Sequence, residues 1–162
     1  MMLELHNVTI GELISSLSLT VNDGQLLTVV GSEGSGKTTL LRAILGFIPV
    51  DKGHISIDGE LLTTRSAVWF RRQMAYVPQH LSLPEGYKGL GSWDAQTPDE
   101  RYLQLLRKAV EAGKSLLLVD EPSQPLQAES ESAVDELLLA AVQRGTTVLA
   151  INSRIQQNQV KL

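Results

Sequence analysis

The chain has 162 residues and not one cysteine. That excludes a disulfide framework, a thiolate metal site and a cysteine nucleophile together. No run of Lys or Arg occurs, and the net charge is −4 with a pI near 5.3. A general nucleic-acid binder needs a basic footprint for the phosphates, so that class is disfavoured, although a nucleotide needs only one local pocket. Long apolar runs are missing too. The longest, such as "LLLAAV", fall far short of a membrane span, and "MMLELHNVTI" has neither the basic flank nor the apolar run of a signal peptide. The expectation is a soluble, cytoplasmic protein without direct membrane insertion, reaching any membrane only through a partner. The three histidines, His6, His54 and His80, are scattered without metal-ligand spacing.

What is present is an ordinary globular composition, 43% apolar and 20% charged. The length suits one domain with a proper core. "LELHNV" and "SLSLTV" alternate with a period of two and read as half-buried strands. "QLLTVV", "SLLLV" and "TTVLAIN" are nearly continuous apolar strands of the kind buried on both faces in a parallel sheet. "GHISIDGELL" reads as a hairpin turning at Asp58 and Gly59, and "MAYVPQ" as a short strand stopped by Pro78. Between the strands lie helical segments: "TTLLRAILGF" ending at Gly46, a stretch opened by "TPDE" at residues 97–100, and one from about Glu129 to Arg144 stopped by Gly145. Residues 80–96 show no periodicity and are expected to be an irregular loop. The tail "RIQQNQVKL" reads as polar and short. Buried strands alternating with amphipathic helices after an antiparallel opening give an α/β fold: a mainly parallel sheet flanked by helices, with an N-terminal antiparallel layer.

Chemistry concentrates in two places. Gly31, Ser32, Glu33, Gly34, Ser35, Gly36, Lys37 and Thr38 match the phosphate-binding pattern GxxxxGK[ST], with Thr39 following. Glycines let backbone N–H groups curl around phosphate oxygens, Lys37 would reach the β- and γ-phosphates, and the Thr38 hydroxyl would ligate Mg²⁺. The helix that follows points its positive end at the same anion. A flexible Gly/Ser turn is the alternative, but the segment lies between a buried strand and a helix, the context the pattern requires. Asp120 and Glu121 follow "SLLLV" at the carboxyl end of a buried strand, where ligands bind in open parallel sheets. Alone they would read as solvated loop acids. Beside a phosphate loop, Asp120 suits Mg²⁺ and Glu121 suits the polarising of an attacking water.

Together these residues resemble the nucleotide-binding domain of ATP-binding cassette (ABC) proteins, a P-loop NTPase fold. Residues 31–38 resemble Walker A, "LLLVDEP" resembles Walker B with its catalytic glutamate at Glu121, and "MAYVPQ" leads to Gln79 in the place of the Q-loop residue that touches Mg²⁺. The resemblance covers nearly all of residues 1–162 as one domain. It implies ATP and Mg²⁺ as ligands, and as partners a transmembrane permease subunit and a second nucleotide-binding domain, in a homo- or heterodimer at the inner face of the membrane. The departures are equally plain. The helical subdomain is reduced, no LSGGQ-like signature is present, and "QTPDE" occupies its place, where Thr97 and Glu100 read as a capping box that seals the helix start and Asp99 and Glu100 place negative charge. Gln127 stands for the D-loop aspartate, Ser153 for the switch histidine, and no aromatic lies near residues 10–12 to stack on adenine. The implied function is an ATP-binding transporter subunit with weak or absent hydrolysis on its own. The alternative is a nucleotide-dependent regulatory or scaffolding pseudo-ATPase. A DNA-repair or chromosome-organising ATPase is disfavoured by the acidic charge and the lack of a coiled-coil insertion.

Overall fold

The computed structural model describes residues 1–80, 97–155 and 157–162. Most of the expected loop at 80–96 and Trp93 therefore lie outside the described residues. Two sheets organise the rest. β1 (Leu3–Ile10), β2 (Ile14–Val21), β4 (Lys52–Ile57) and β5 (Glu60–Leu61) form an antiparallel layer in the order β2-β1-β4-β5. β3 (Leu26–Val30), β6 (Met74–Val77), β7 (Leu116–Val119), β8 (Thr147–Ile151) and β9 (Gln159–Lys161) form a parallel sheet in the order β6-β7-β8-β3-β9. Four helices accompany them: α1 (Lys37–Ile44), α2 (Ala67–Arg71), α3 (Pro98–Glu111) and α4 (Ala128–Gln143).

The continuous apolar runs become fully buried strands, as their composition demands. In β7, Leu116 and Leu118 join one core with α1 and the antiparallel layer, while Leu117 and Val119 join a second core with α3 and α4. Period-two alternation thus serves two apolar faces at once. The hairpin turns where expected, with Asp58 and Gly59 both at positive φ (51° and 79°), as a tight turn between twisted strands requires. His6 and His54 are cross-strand partners on β1 and β4, and their rings stack at 4.8 Å. Among the described residues no cluster of metal-ligating side chains occurs.

Two elements go beyond the sequence reading. α2 spans only five residues, fewer than two turns, so it carries no readable period. The short polar tail adds a strand: Thr28, Val29 and Val30 pair with Gln159, Val160 and Lys161, making β9 the edge of the parallel sheet. α3 is the one helix between β6 and β7 among the described residues, and its N-terminus is sealed as the sequence suggests. Thr97 accepts a hydrogen bond from the Glu100 N–H, and the Glu100 carboxylate accepts one from the Thr97 N–H at 2.7 Å. Asp99 adds a structural tie to the negative charge it places there. Its carboxylate accepts the Gln127 N–H at 2.9 Å and so ties the start of α3 to the start of α4.

Thr97→Ala is expected to lower stability by about 0.5–2 kcal/mol in urea denaturation, the usual effect of removing an N-cap. Asp99→Ala should cost a further ~0.5–1.5 kcal/mol by freeing the Gln127 N–H. Unchanged midpoints for both would show that this corner does not hold the two helices together.

Candidate functional site

β3, β8 and β7 lie side by side, with Val29 opposite Ile151 and Val119 opposite Ala150. Neighbouring strands in this set end within one residue of each other, and the loops that follow leave on the same side of the sheet. Gly31 leaves β3, Asp120 and Glu121 leave β7, and Asn152 leaves β8.

The loop after β3 has the shape its glycines allow. Gly34 and Gly36 are left-handed, at φ 77° and 94°. A Cβ on Gly31 would stand 2.4 Å from Ser35 Oγ, so no larger residue fits there without displacing the loop. The Ser35 hydroxyl is buried with no hydrogen-bond partner among the described residues, an orphaned polar atom inside a loop of backbone donors. α1 begins at Lys37 with no side-chain cap and no acid in its first turn. Its N–H groups are left open, and its dipole is uncompensated at that end. α3, by contrast, has the capping box, Pro98 and two acids there. Thr39 sits half-buried within the first turn of α1.

Lys37, Thr38, Asp120 and Glu121 come together. The Lys37 ammonium is buried (5% exposed), donates to the Gly31 and Ser32 carbonyls at 2.9 and 2.6 Å, and lies 3.4 Å from a Glu121 carboxylate oxygen. Thr38 donates its hydroxyl to Asp120 at 2.8 Å. Asp120 is 1% exposed, and its other oxygen accepts the Glu121 N–H at 3.0 Å. Burial pushes the Asp120 carboxyl above its ordinary pKa, while the hydrogen bonds from Thr38 and from the Glu121 backbone pull the other way. Beneath it the Tyr102 hydroxyl donates to the Asp120 carbonyl at 2.6 Å, and burial pushes that phenol well above its usual range.

Three other positions fall elsewhere. Gln79 is half-buried past the end of β6 and lines a cavity of about 280 Å³ with His80, Arg101 and Pro122, with no hydrogen bond to Thr38 or Asp120. Gln127 is the N-cap residue of α4. The Ser153 hydroxyl accepts the Ile155 N–H at 3.2 Å and serves a local turn. Two residues at the site were not picked out from the sequence. Asn152 donates to Glu121 at 2.6 Å and pairs with both the N–H and the carbonyl of Gly31. Leu13 is 54% exposed, with its Cβ 3.1 Å from where a Cβ on Gly36 would stand, so it presents apolar surface beside the loop. Neither has a local pattern that would have marked it, since each acts through a neighbour distant in sequence.

A sequence model described as "ABC transporter" matches residues 14–112, well over half of the chain. The chain belongs to the ABC transporter family. It is 30% identical to the taurine import ATP-binding protein TauB of Shigella dysenteriae, an alignment covering 89% of this chain and 69% of that protein. It is 35% identical to the ABC-type transporter atr1 of Mycosarcoma maydis over 60% of this chain, and there the match spans only 7% of the relative's length. A 52-residue stretch is 52% identical to the spermidine/putrescine import ATP-binding protein PotA of Salmonella typhimurium, covering 32% of this chain and 14% of that protein. A solved structure described as the ATP binding subunit of an ABC transporter superposes with a TM-score of 0.79 at 20% identity, covering 100% of this chain and 86% of that one. The chain therefore shares the fold of an ABC ATP-binding subunit. No helix among the described residues is long and apolar enough to cross a membrane.

The buried Asp120 generates a test of sign. A carboxyl whose pKa is raised in the folded state contributes stability that is fully present below its unfolded value, near 3.8, and lost as pH rises through the folded value. Relative to wild type, the Tm of Asp120→Asn without nucleotide is therefore expected to move upward as pH is raised from about 4 to 7. A difference that is flat with pH, or that moves downward, would contradict the placement of this acid.

Proposed function

We propose that the chain is the ATP-binding subunit of an ABC-type membrane transporter complex, with little or no ATP hydrolysis on its own. The observation that supports this best is the conjunction of an open α1 N-terminus, the loop built from Gly31, Ser32, Glu33, Gly34, Ser35 and Gly36, and the Thr38–Asp120 pair at its mouth. Backbone N–H groups of the loop and the helix end would bind the phosphates, Thr39 standing in the same turn, and Lys37 would face the β- and γ-oxygens. The unpartnered Ser35 hydroxyl is consistent with a ligand at this loop.

Thr38 and Asp120 fit Mg²⁺: both offer hard oxygen donors within 2.8 Å of each other, and the buried carboxylate would gain a counter-charge. Gln79 would join them from the end of β6. When bound, the ion neutralises phosphate charge. Glu121 would orient and polarise the attacking water. Leu13 supplies apolar but not stacking surface for a base, so little preference for adenine over guanine is expected.

Residues 1–162 would act as one nucleotide-binding unit, in the cytoplasm at the inner face of the membrane. It would be attached through a permease subunit and paired with a second nucleotide-binding domain. Names of relatives such as the taurine import ATP-binding protein support the transport assignment. Weak turnover follows from what α3 does with its N-terminus. In the family resemblance that helix start is where a sister subunit's γ-phosphate would be gripped. Here its donors are engaged by Thr97 and Glu100, and Asp99 and Glu100 put negative charge beside it. The same feature favours a second reading, a nucleotide-dependent regulatory or scaffolding pseudo-ATPase that does not power transport.

Binding of Mg-ATP by the purified chain, weakened at least tenfold by Lys37→Ala, is expected; tenfold corresponds to about 1.4 kcal/mol. Turnover should lie far below the ~10 s⁻¹ of a typical enzyme. No measurable affinity would refute the binding half. Robust turnover lost in Glu121→Gln would refute the slow-turnover half. Co-purification with a stoichiometric membrane protein from native cells separates the two readings, since a pseudo-ATPase scaffold need not bring one.

A further inference from the structure

We infer that Asn152 is a positioning residue that fixes the Glu121 carboxylate against the first residue of the phosphate loop. The inference rests on reading Glu121 as the carboxylate that polarises water. Asn152 stands directly after β8 at φ 48°, a left-handed conformation that Asn adopts more readily than most residues. Its backbone N–H donates to the Val29 carbonyl at 2.8 Å, which holds it to the end of β3. Its side chain then makes three contacts. Oδ1 accepts the Gly31 N–H at 3.1 Å, and Nδ2 donates to the Gly31 carbonyl at 3.2 Å and to Glu121 Oε2 at 2.6 Å. The other Glu121 oxygen faces Lys37 at 3.4 Å, and Lys37 in turn donates to the Gly31 and Ser32 carbonyls. The four side chains and backbone groups close a ring: Gly31, Asn152, Glu121, Lys37 and back to Gly31.

The chemistry of that ring calls for a primary amide. One atom must accept from Gly31 while its neighbour donates to a carboxylate, and a primary amide carries both on one planar group. Asn is the shorter of the two and reaches from the β8 end without an extra methylene. Glu121 is itself only partly covered (29% exposed), and among the described residues these two contacts on its oxygens fix the direction of its lone pairs. A base that wanders loses the orientation on which its rate advantage depends. Being neutral, the amide grips the carboxylate without adding charge to a site already shared by Lys37, Asp120 and Glu121.

Asn152→Asp separates the two jobs of the side chain. An aspartate still accepts the Gly31 N–H but cannot donate to Glu121. Wild type, Asn152→Asp, Glu121→Gln and the double variant, all as full-length chain, would be loaded with Mg-ATP and followed for one turnover of γ-phosphate release. Affinity for Mg-ATP in Asn152→Asp is expected to stay within about threefold of wild type, while the single-turnover rate falls at least about tenfold. In the Glu121→Gln background the same substitution should cause no further loss, because Asn152 acts through Glu121. A separate readout without nucleotide is the side-chain amide resonance of Asn152, whose proton should lie downfield in the wild type and return toward the free-amide position in Glu121→Ala. An unchanged rate in Asn152→Asp, an additive loss in the double variant, or bound ATP that wild type never cleaves would overturn the role of Asn152 while leaving ATP binding intact. Failure of wild type to bind Mg-ATP would instead overturn the nucleotide reading itself, and this role with it.

Discussion

Register between β3, β8 and β7 sets the height at which three loops leave the parallel sheet, and the candidate site depends on those heights agreeing. Val29 lies opposite Ile151 and Val119 opposite Ala150, so Asn152 emerges beside Glu121 and one residue short of Gly31. Parallel pairing makes this possible because every strand presents its carboxyl end to the same side. A slip of one residue in β8 would exchange the side chains it presents to the two cores and carry Asn152 away from both Gly31 and Glu121. The two apolar cores on either side of β7 oppose such a slip, since Leu116 and Leu118 bury against one core while Leu117 and Val119 bury against the other. Packing far from the polar residues is therefore what places them.

The two helix starts show how the same backbone can be prepared for opposite purposes. α1 follows a left-handed Gly36, carries no cap, and has no acid in its first turn. α3 follows an extended Thr97 whose hydroxyl is engaged, has Pro98 where an N–H would be free, and spends both acids on backbone donors. Each choice has a cost. An uncapped start forgoes about 1 kcal/mol of helix stability, and retains the open donors and positive dipole end that attract an anion. A sealed start regains that stability and gives up the site. The Asp99 bond to Gln127 goes further, since it uses a charged side chain to join two helices rather than to face solvent or ligand.

Much of this was legible in the sequence, and the reasons are physical. The buried strands, the hairpin at Asp58 and Gly59, the phosphate loop and the acids after β7 all depend on residues adjacent in the chain, so composition and spacing carry them. β9 did not stand out because three residues with one partly buried apolar side chain have no period of their own, and their pairing to β3 is set by contacts more than a hundred residues away. α2 is too short to alternate. Asn152 is the polar end of an apolar strand, with no motif of its own. Its position relative to Glu121 is a consequence of sheet order, which the sequence does not spell out. Leu13 was hidden for the same reason: its neighbour Gly36 is brought to it by the packing of the antiparallel layer on α1.

The buried polar groups at the strand ends also constrain one another before any ligand arrives. Lys37 is almost fully covered, and a buried ammonium needs partners on every side. It has two carbonyls of its own loop and one carboxylate. Asp120 is equally covered and has a hydroxyl and an N–H, neither of them charged. Lys37 is therefore balanced within the chain, whereas Asp120 carries a charge that burial disfavours and that no cation among the described residues touches. A site arranged in this way is strained toward a cation at Asp120 and not toward one at Glu121, whose oxygens are taken by Lys37 and Asn152. The asymmetry between two adjacent carboxylates separates their chemistry. One is held in a low-dielectric position where a counter-ion would gain most, and the other is steered by a cation and an amide toward the open side of the loop.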